Sequence, residues 1–176
     1  MSDYDSNRIA RWTLYTTGAI FALAGVLVIV DSLIEFISPL VLLGVSLLLS
    51  GANSLVPHFS MRNNPMRPVW LLPVGVVDII FGVLSLSHIF KFDIILGVWV
   101  MFTGCIRLYM TYALKRSGVA GWRIVLAGAV IMIVIAALLL SRLSIGNIVS
   151  GVFLAGIGAA VINEGRTVYG RVPLSR

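Results

Sequence analysis

Six stretches of this chain, residues 12–30, 39–56, 69–87, 94–114, 122–141 and 145–163, are each apolar over about 18 to 21 residues. A bilayer's hydrocarbon core, roughly 30 Å thick, is crossed by about 20 helical residues. Backbone N–H and C=O groups in lipid must be paired within the segment, so stretches of this length are helices. The short alternating segments of a β-barrel are absent from the pattern. Of all residues 59% are hydrophobic and 11% charged, against about a quarter charged in soluble domains. The expectation is an all-α integral membrane bundle of six transmembrane helices, forming a single membrane domain over residues 1–176. The stretch 12–30 is followed by no small-residue cleavage site, so it reads as a retained span. The longest polar gap, Pro57 to Pro68, reads as a loop, and residues 164–176 as a basic tail.

Lys and Arg beside short loops set orientation. The N-terminus, the 57–68 and 115–121 loops, the C-terminal tail and the adjoining helix ends hold Arg8, Arg11, Arg62, Arg67, Arg107, Lys115, Arg116, Arg123, Arg166, Arg171 and Arg176. The opposite side holds Lys91 and Arg142, with Asp31, Glu35, His88 and Asp93. Both termini are therefore expected in the cytoplasm. The net charge of +6 is a rim facing anionic headgroups and calls for no nucleic acid. Trp12, Trp70 and Trp122 each open an odd-numbered span at this rim, where amphipathic rings anchor; Tyr109 and Tyr112 approach the same level.

The tryptophans also mark a repeat. Gly18, Gly75 and Gly128 follow them at nearly fixed distance, and Gly25 and Gly82 come seven residues after the first two. The third unit has Ile135 at that place. The even spans carry Gly44 and Gly51, Gly97 and Gly104, Gly151 and Gly158, again seven apart. The chain thus reads as three tandem parallel helical hairpins, 12–56, 69–114 and 122–163. Seven residues is close to two helical turns, so each glycine pair shares a face. Such faces let helix backbones approach closely in lipid. They are expected to pack within the monomer, inside hairpins or between them; a dimerisation seam or flexible gate is the competing use. Parallel repeats differ from the inverted repeats common in alternating-access transporters.

Asp78 and Arg107 break the apolar pattern. Counted from the glycines, the counterparts of Asp78 are Phe21 and Ile131, and those of Arg107 are Ser54 and Val161. Both charges fall in the middle hairpin, about 6 Å apart in depth at 1.5 Å per residue. Helical side chains lean toward their own N-terminus, so these two lean toward each other. An unpaired ion at mid-bilayer costs about 2.5–3.5 kcal/mol by insertion scales. An intramembrane Asp78–Arg107 pair is the expectation. A proton- or ligand-responsive site is a second reading. In a third, Arg107 snorkels to the rim while Asp78 is protonated or finds a backbone partner.

The sequence VGVVDIIFGVLSL opening the middle repeat, GCIRL closing it, and six spans in three hairpins resemble the family of the bacterial acid-resistance membrane protein HdeD. The resemblance covers nearly the whole chain. It implies a multi-pass inner-membrane protein linked to stress response, acid resistance in particular, and supplies no catalytic residue.

Enzyme chemistry finds no support: there is no paired carboxylate within one span, no His-rich helix and no phosphate-binding glycine loop. His58 and His88 fall in different loops and cannot join Cys105 in a metal site, so neither metal nor cofactor is expected. Cys105 reads as a small buried hydrophobe. Ser46, Ser50, Asn53, Ser54 and Asn163 read as interhelical hydrogen-bonding groups. The leading function is a stress-response or scaffolding protein whose partners are the bilayer and a second copy or another membrane protein. The alternative is a channel or transporter for protons or a small solute. Asp78 enclosed and bonded to Arg107 would favour the first; a water-accessible cavity reaching Asp78 would favour the second.

Overall fold

The computed structural model describes residues 3–34, 37–60, 71–116, 122–141 and 147–169. They form six helices and, among the described residues, no strand: α1 (Asp3–Ile34), α2 (Pro39–Ser60), α3 (Leu71–Leu86), α4 (Phe92–Arg116), α5 (Trp122–Leu140) and α6 (Asn147–Tyr169). Trp70, Glu35, Arg62, Arg67, Arg142, Arg171 and Arg176, all named in the sequence signals above, lie outside the described residues. Five helices are long and apolar enough to cross a membrane; Leu71–Leu86 is apolar but shorter. The outward-facing side chains are those a bilayer would solvate. Leu23, Leu27, Ile80, Val83, Phe102, Ile131 and Val134 are all exposed, while Asp78, Ser50, Ser54, Thr103, Thr111 and Glu164 are buried. A protein dissolved in water would carry the reverse distribution.

Two expected boundaries move. α2 runs through Pro57 to Ser60 rather than ending before a loop at Pro57. A proline near the end of a helix forfeits one N–H bond, and here the ring is buried. α6 continues to Tyr169, so residues 164–169 are helix rather than tail. Ser38 precedes α2, its carbonyl accepting from the N–H groups of Val41 and Leu42. Lys91 holds the equivalent place before α4, its carbonyl accepting from the N–H groups of Ile94 and Ile95. His88 ends the turn after α3 with φ 54°, a left-handed conformation usual for glycine at a helix C-terminus.

The glycine faces pack between hairpins and close a ring. A Cβ on Gly18 would lie 2.6 Å from the Gly158 carbonyl oxygen, and one on Gly25 would lie 2.5 Å from that of Gly151. The α2–α3 seam repeats this: Gly44 faces Gly82 (3.1 Å), and Gly51 faces Gly75 (2.8 Å). The pairing runs in opposite senses along the two helices, so each seam is antiparallel. The α4–α5 seam is one-sided. Gly97 meets Leu139 and Leu140, and Gly104 meets Met132 and Ile133. Each even helix therefore packs on the odd helix that follows, and α6 returns to α1.

This geometry shifts the third repeat by one residue. On α5 the seam positions are Ala129 and Ala136, both fully buried and seven apart, not Gly128 and Ile135. With that register, equivalent positions are buried in threes: Leu14, Leu71 and Val125; Phe21, Asp78 and Met132; Val28, Ser85 and Leu139. The even helices match: Leu47, Val100 and Leu154; Ser50, Thr103 and Ile157; Ser54, Arg107 and Val161. The α5 counterpart of Asp78 is thus Met132; Ile131 points outward. Three hairpins around one approximate threefold axis produce this layering.

Candidate functional site

α3 carries Asp78 into the core on the same face as Gly75 and Gly82, with Leu71 and Ser85. The tight α2–α3 seam brings Ser50 alongside, and the Ser50 hydroxyl donates to Asp78 Oδ2 at 2.6 Å. Trp99, on α4, donates its indole Nε1–H to Asp78 Oδ1 at 2.8 Å. The far side of that indole meets Phe21 on α1, ring centroids 5.1 Å apart. Three helices therefore converge on one carboxyl group, which is 1% exposed, and α1 packs on the indole that bonds it. Each carboxyl oxygen has one neutral donor, the minimum that burial of such a group demands.

Arg107 does not pair with Asp78. Its Nη1 forms the ion pair with Glu164 Oε1 on α6. The reason is axial position. Asp78 lies level with Trp99, and Arg107 is eight residues farther along α4, about 12 Å at 1.5 Å per residue. At that depth α6 presents Glu164, so the guanidinium is satisfied without reaching back. Thr111 donates to the Arg107 carbonyl at 2.9 Å, a local back-bond on the same buried face. Gly128 has its role here rather than in a seam. A Cβ there would lie 3.6 Å from Glu164 Oε1, with nothing else within 4 Å, so its bare backbone flanks the carboxylate.

Glu164 and Trp99 are the site residues that sequence reasoning misses. Hydropathy assigns Glu164 to the tail because the apolar run stops at Asn163. Trp99 has a signal: of the four tryptophans it alone sits inside a span rather than at its start. Asn53, by contrast, does what its type suggests. Its Nδ2 lies within reach of the Thr13 carbonyl (2.9 Å), Thr16 Oγ1 (2.7 Å) and Thr17 Oγ1 (2.9 Å), and its two N–H groups are shared among these acceptors, joining α2 to α1. Ser85 likewise ties α3 to the start of α2 through the Leu40 carbonyl at 2.7 Å. Cys105 is exposed on the outer surface, not buried. Asp31, expected at the end of the first span away from the cytoplasm, is buried and accepts the Ile37 N–H at 2.6 Å, fixing the turn after α1.

Among the rim anchors, Trp122 lies beneath two cations, with Lys115 Nζ 5.2 Å and the Arg123 guanidinium 5.6 Å from its ring. Trp12 is half exposed and meets Tyr15 edge-on at 6.1 Å. Among the described residues no group of His, Cys, Asp and Glu is arranged to hold a metal ion.

Residues 16–87 match the model of a family described as a short repeat of unknown function (DUF308). The matched segment takes in most of α1, all of α2 and all of α3. It therefore contains the reciprocal α2–α3 glycine seam and both Ser50 and Asp78. No curated protein and no solved structure matches the chain.

Proposed function

We propose that this chain is a multi-pass bacterial inner-membrane protein of the HdeD-like type, acting in stress response, acid resistance included, or as a membrane scaffold. It works without catalysis, through packing, lipid contact and association with a second copy or another membrane protein. Both termini lie in the cytoplasm. The observation that carries the reading is the use to which the interior polar groups are put. Asp78 is enclosed and bonded to α2 and α4, and Arg107 is neutralised by α6. Each intramembrane charge is consumed in joining helices of different hairpins. The match to a repeat family that includes HdeD-like membrane proteins supports the type, and the imbalance of Lys and Arg supports the orientation.

Proteoliposomes loaded with a pH-sensitive dye test the reading. The parent protein and Asp78→Asn should both leave proton flux at the protein-free level. A flux present in the parent and lost in Asp78→Asn would establish the transporter alternative instead. Terminal tags reachable by protease in inverted vesicles, and protected in intact spheroplasts, are expected from the orientation.

A further inference from the structure

We infer that the groove between the first turns of α1 and the last turns of α2 binds the phosphate headgroup of an anionic phospholipid. The groove is open, has a volume of about 570 Å³, and is lined by Arg8, Trp12, Thr13, Thr16, Asn53 and Val56, with Ile9. Its depth suits a headgroup: Trp12 opens the first apolar stretch, and Arg8 lies one turn toward the aqueous side. The exposed Arg8 supplies a positive charge with several N–H donors, and Trp12 supplies an indole N–H at the apolar boundary. Among the described contacts neither donor has a protein partner. Val56 and Ile9 add apolar lining at the same rim.

The threefold repeat provides an internal control. By the seam register, Thr16 corresponds to Pro73 and Ala127, and Asn53 to Ile106 and Ala160. The other two hairpins carry apolar residues at these places, so the polar lining is particular to the first hairpin. Asn53 holds that lining in place by sharing its two side-chain N–H groups among Thr13, Thr16 and Thr17. The inference names a partner for the membrane protein proposed above and rests on its spanning a bilayer. It is independent of whether the protein moves protons.

The test uses the full chain reconstituted in phosphatidylcholine bilayers, with spin-labelled phosphatidylglycerol or spin-labelled phosphatidylcholine as probe. The motionally restricted fraction reads lipid held by the protein. The parent should retain the anionic probe about fivefold over the zwitterionic one, the scale of one basic residue at the surface. Arg8→Gln should remove most of that preference, Trp12→Phe should reduce it, and Arg116→Gln on the same rim should leave it. Inorganic phosphate at matched ionic strength should not displace the probe. No preference in the parent, an unchanged preference in Arg8→Gln, or an equal loss in Arg116→Gln would overturn the groove as the site. Displacement by inorganic phosphate would overturn the lipid as its occupant. Neither result bears on the flux assay, so the two readings fail separately.

Discussion

Arg107 on α4 and Glu164 on α6 form an ion pair between hairpins that are not joined through α4 and α6 themselves, and Asp78 makes no hydrogen bond to it. The pair links α4 directly to α6, while α5 and α6 of the third hairpin touch only lightly. Both side chains are buried, so removing one partner strands the other's charge in a medium of low dielectric.

The first prediction follows from that asymmetry. Arg107→Gln or Glu164→Gln alone should lower stability in detergent micelles by about 3–5 kcal/mol. The double substitution should cost clearly less than the sum. Asp78→Asn combined with Arg107→Gln should couple clearly less than the Arg107–Glu164 cycle, since these two residues share no hydrogen bond and act on each other only through space. Thermal unfolding of the single and double variants checks both cycles. Coupling in the second cycle and none in the first would reinstate an Asp78–Arg107 pair.

Asp78 itself is expected to tolerate an amide and not a deletion. In Asp78→Asn the new side-chain carbonyl can still accept from Trp99, and its NH2 group can donate to the Ser50 hydroxyl oxygen. That variant should therefore change stability little. Asp78→Ala leaves two buried donors unpaired, at about 1–3 kcal/mol each. Trp99→Phe should cost the indole bond while keeping a ring against Phe21. Near-ultraviolet circular dichroism and melting temperature distinguish these outcomes, and equal loss in Asp78→Asn and Asp78→Ala would count against the bonding described.

Sequence made the bundle, its spans and its repeat legible because each rests on a strong periodic signal. An apolar run of about 20 residues has one solution in lipid, and glycines seven apart share a face. The partners of buried charges were not legible. Depth arithmetic located Asp78 and Arg107 to within two turns, but two turns suffice for a different helix to intervene. Glu164 was hidden because hydropathy ends a span where polarity begins, whereas α6 keeps its helix and its burial beyond that point. The third repeat differs from its sequence register by one residue for a related reason. Gly128 looks like a seam glycine, yet the seam uses Ala129 and Ala136, whose small side chains carry a weaker signal than glycine.

The glycine seams should differ in their tolerance of a methyl group. At Gly18 and Gly25 a Cβ would meet backbone of α6, which cannot move aside. At Gly97 it would meet Leu140 side-chain atoms about 3.0 Å away, which can rotate. Gly156 has nothing within 4 Å. Gly25→Ala should therefore be strongly destabilising, by about 1–3 kcal/mol or more from overpacking. Gly97→Ala should cost less, and Gly156→Ala should be neutral or stabilising, since alanine is the better helix former. Melting temperatures in the same detergent give the order, and a Gly25→Ala protein as stable as Gly156→Ala would contradict the close α1–α6 approach.

The register of the third hairpin can be tested at two adjacent residues. Met132 is buried in the layer of Phe21 and Asp78, whereas Ile131 is 58% exposed. Met132→Ala would open a cavity beside the Gly104 seam and should cost about 2–5 kcal/mol, the range for large-to-small changes in a core. Ile131→Ala removes a side chain from the lipid-facing surface, where lipid fills the space left behind, and should change stability by less than about 0.5 kcal/mol. If the glycine spacing alone set the register, the order would reverse, with Ile131 inside and Met132 against the bilayer. A labelling experiment gives the same answer without relying on stability. Cysteine placed at residue 131 in a Cys105→Ala background should be quenched by spin-labelled acyl chains when carrying a fluorophore, and cysteine at residue 132 should resist modification until the protein unfolds.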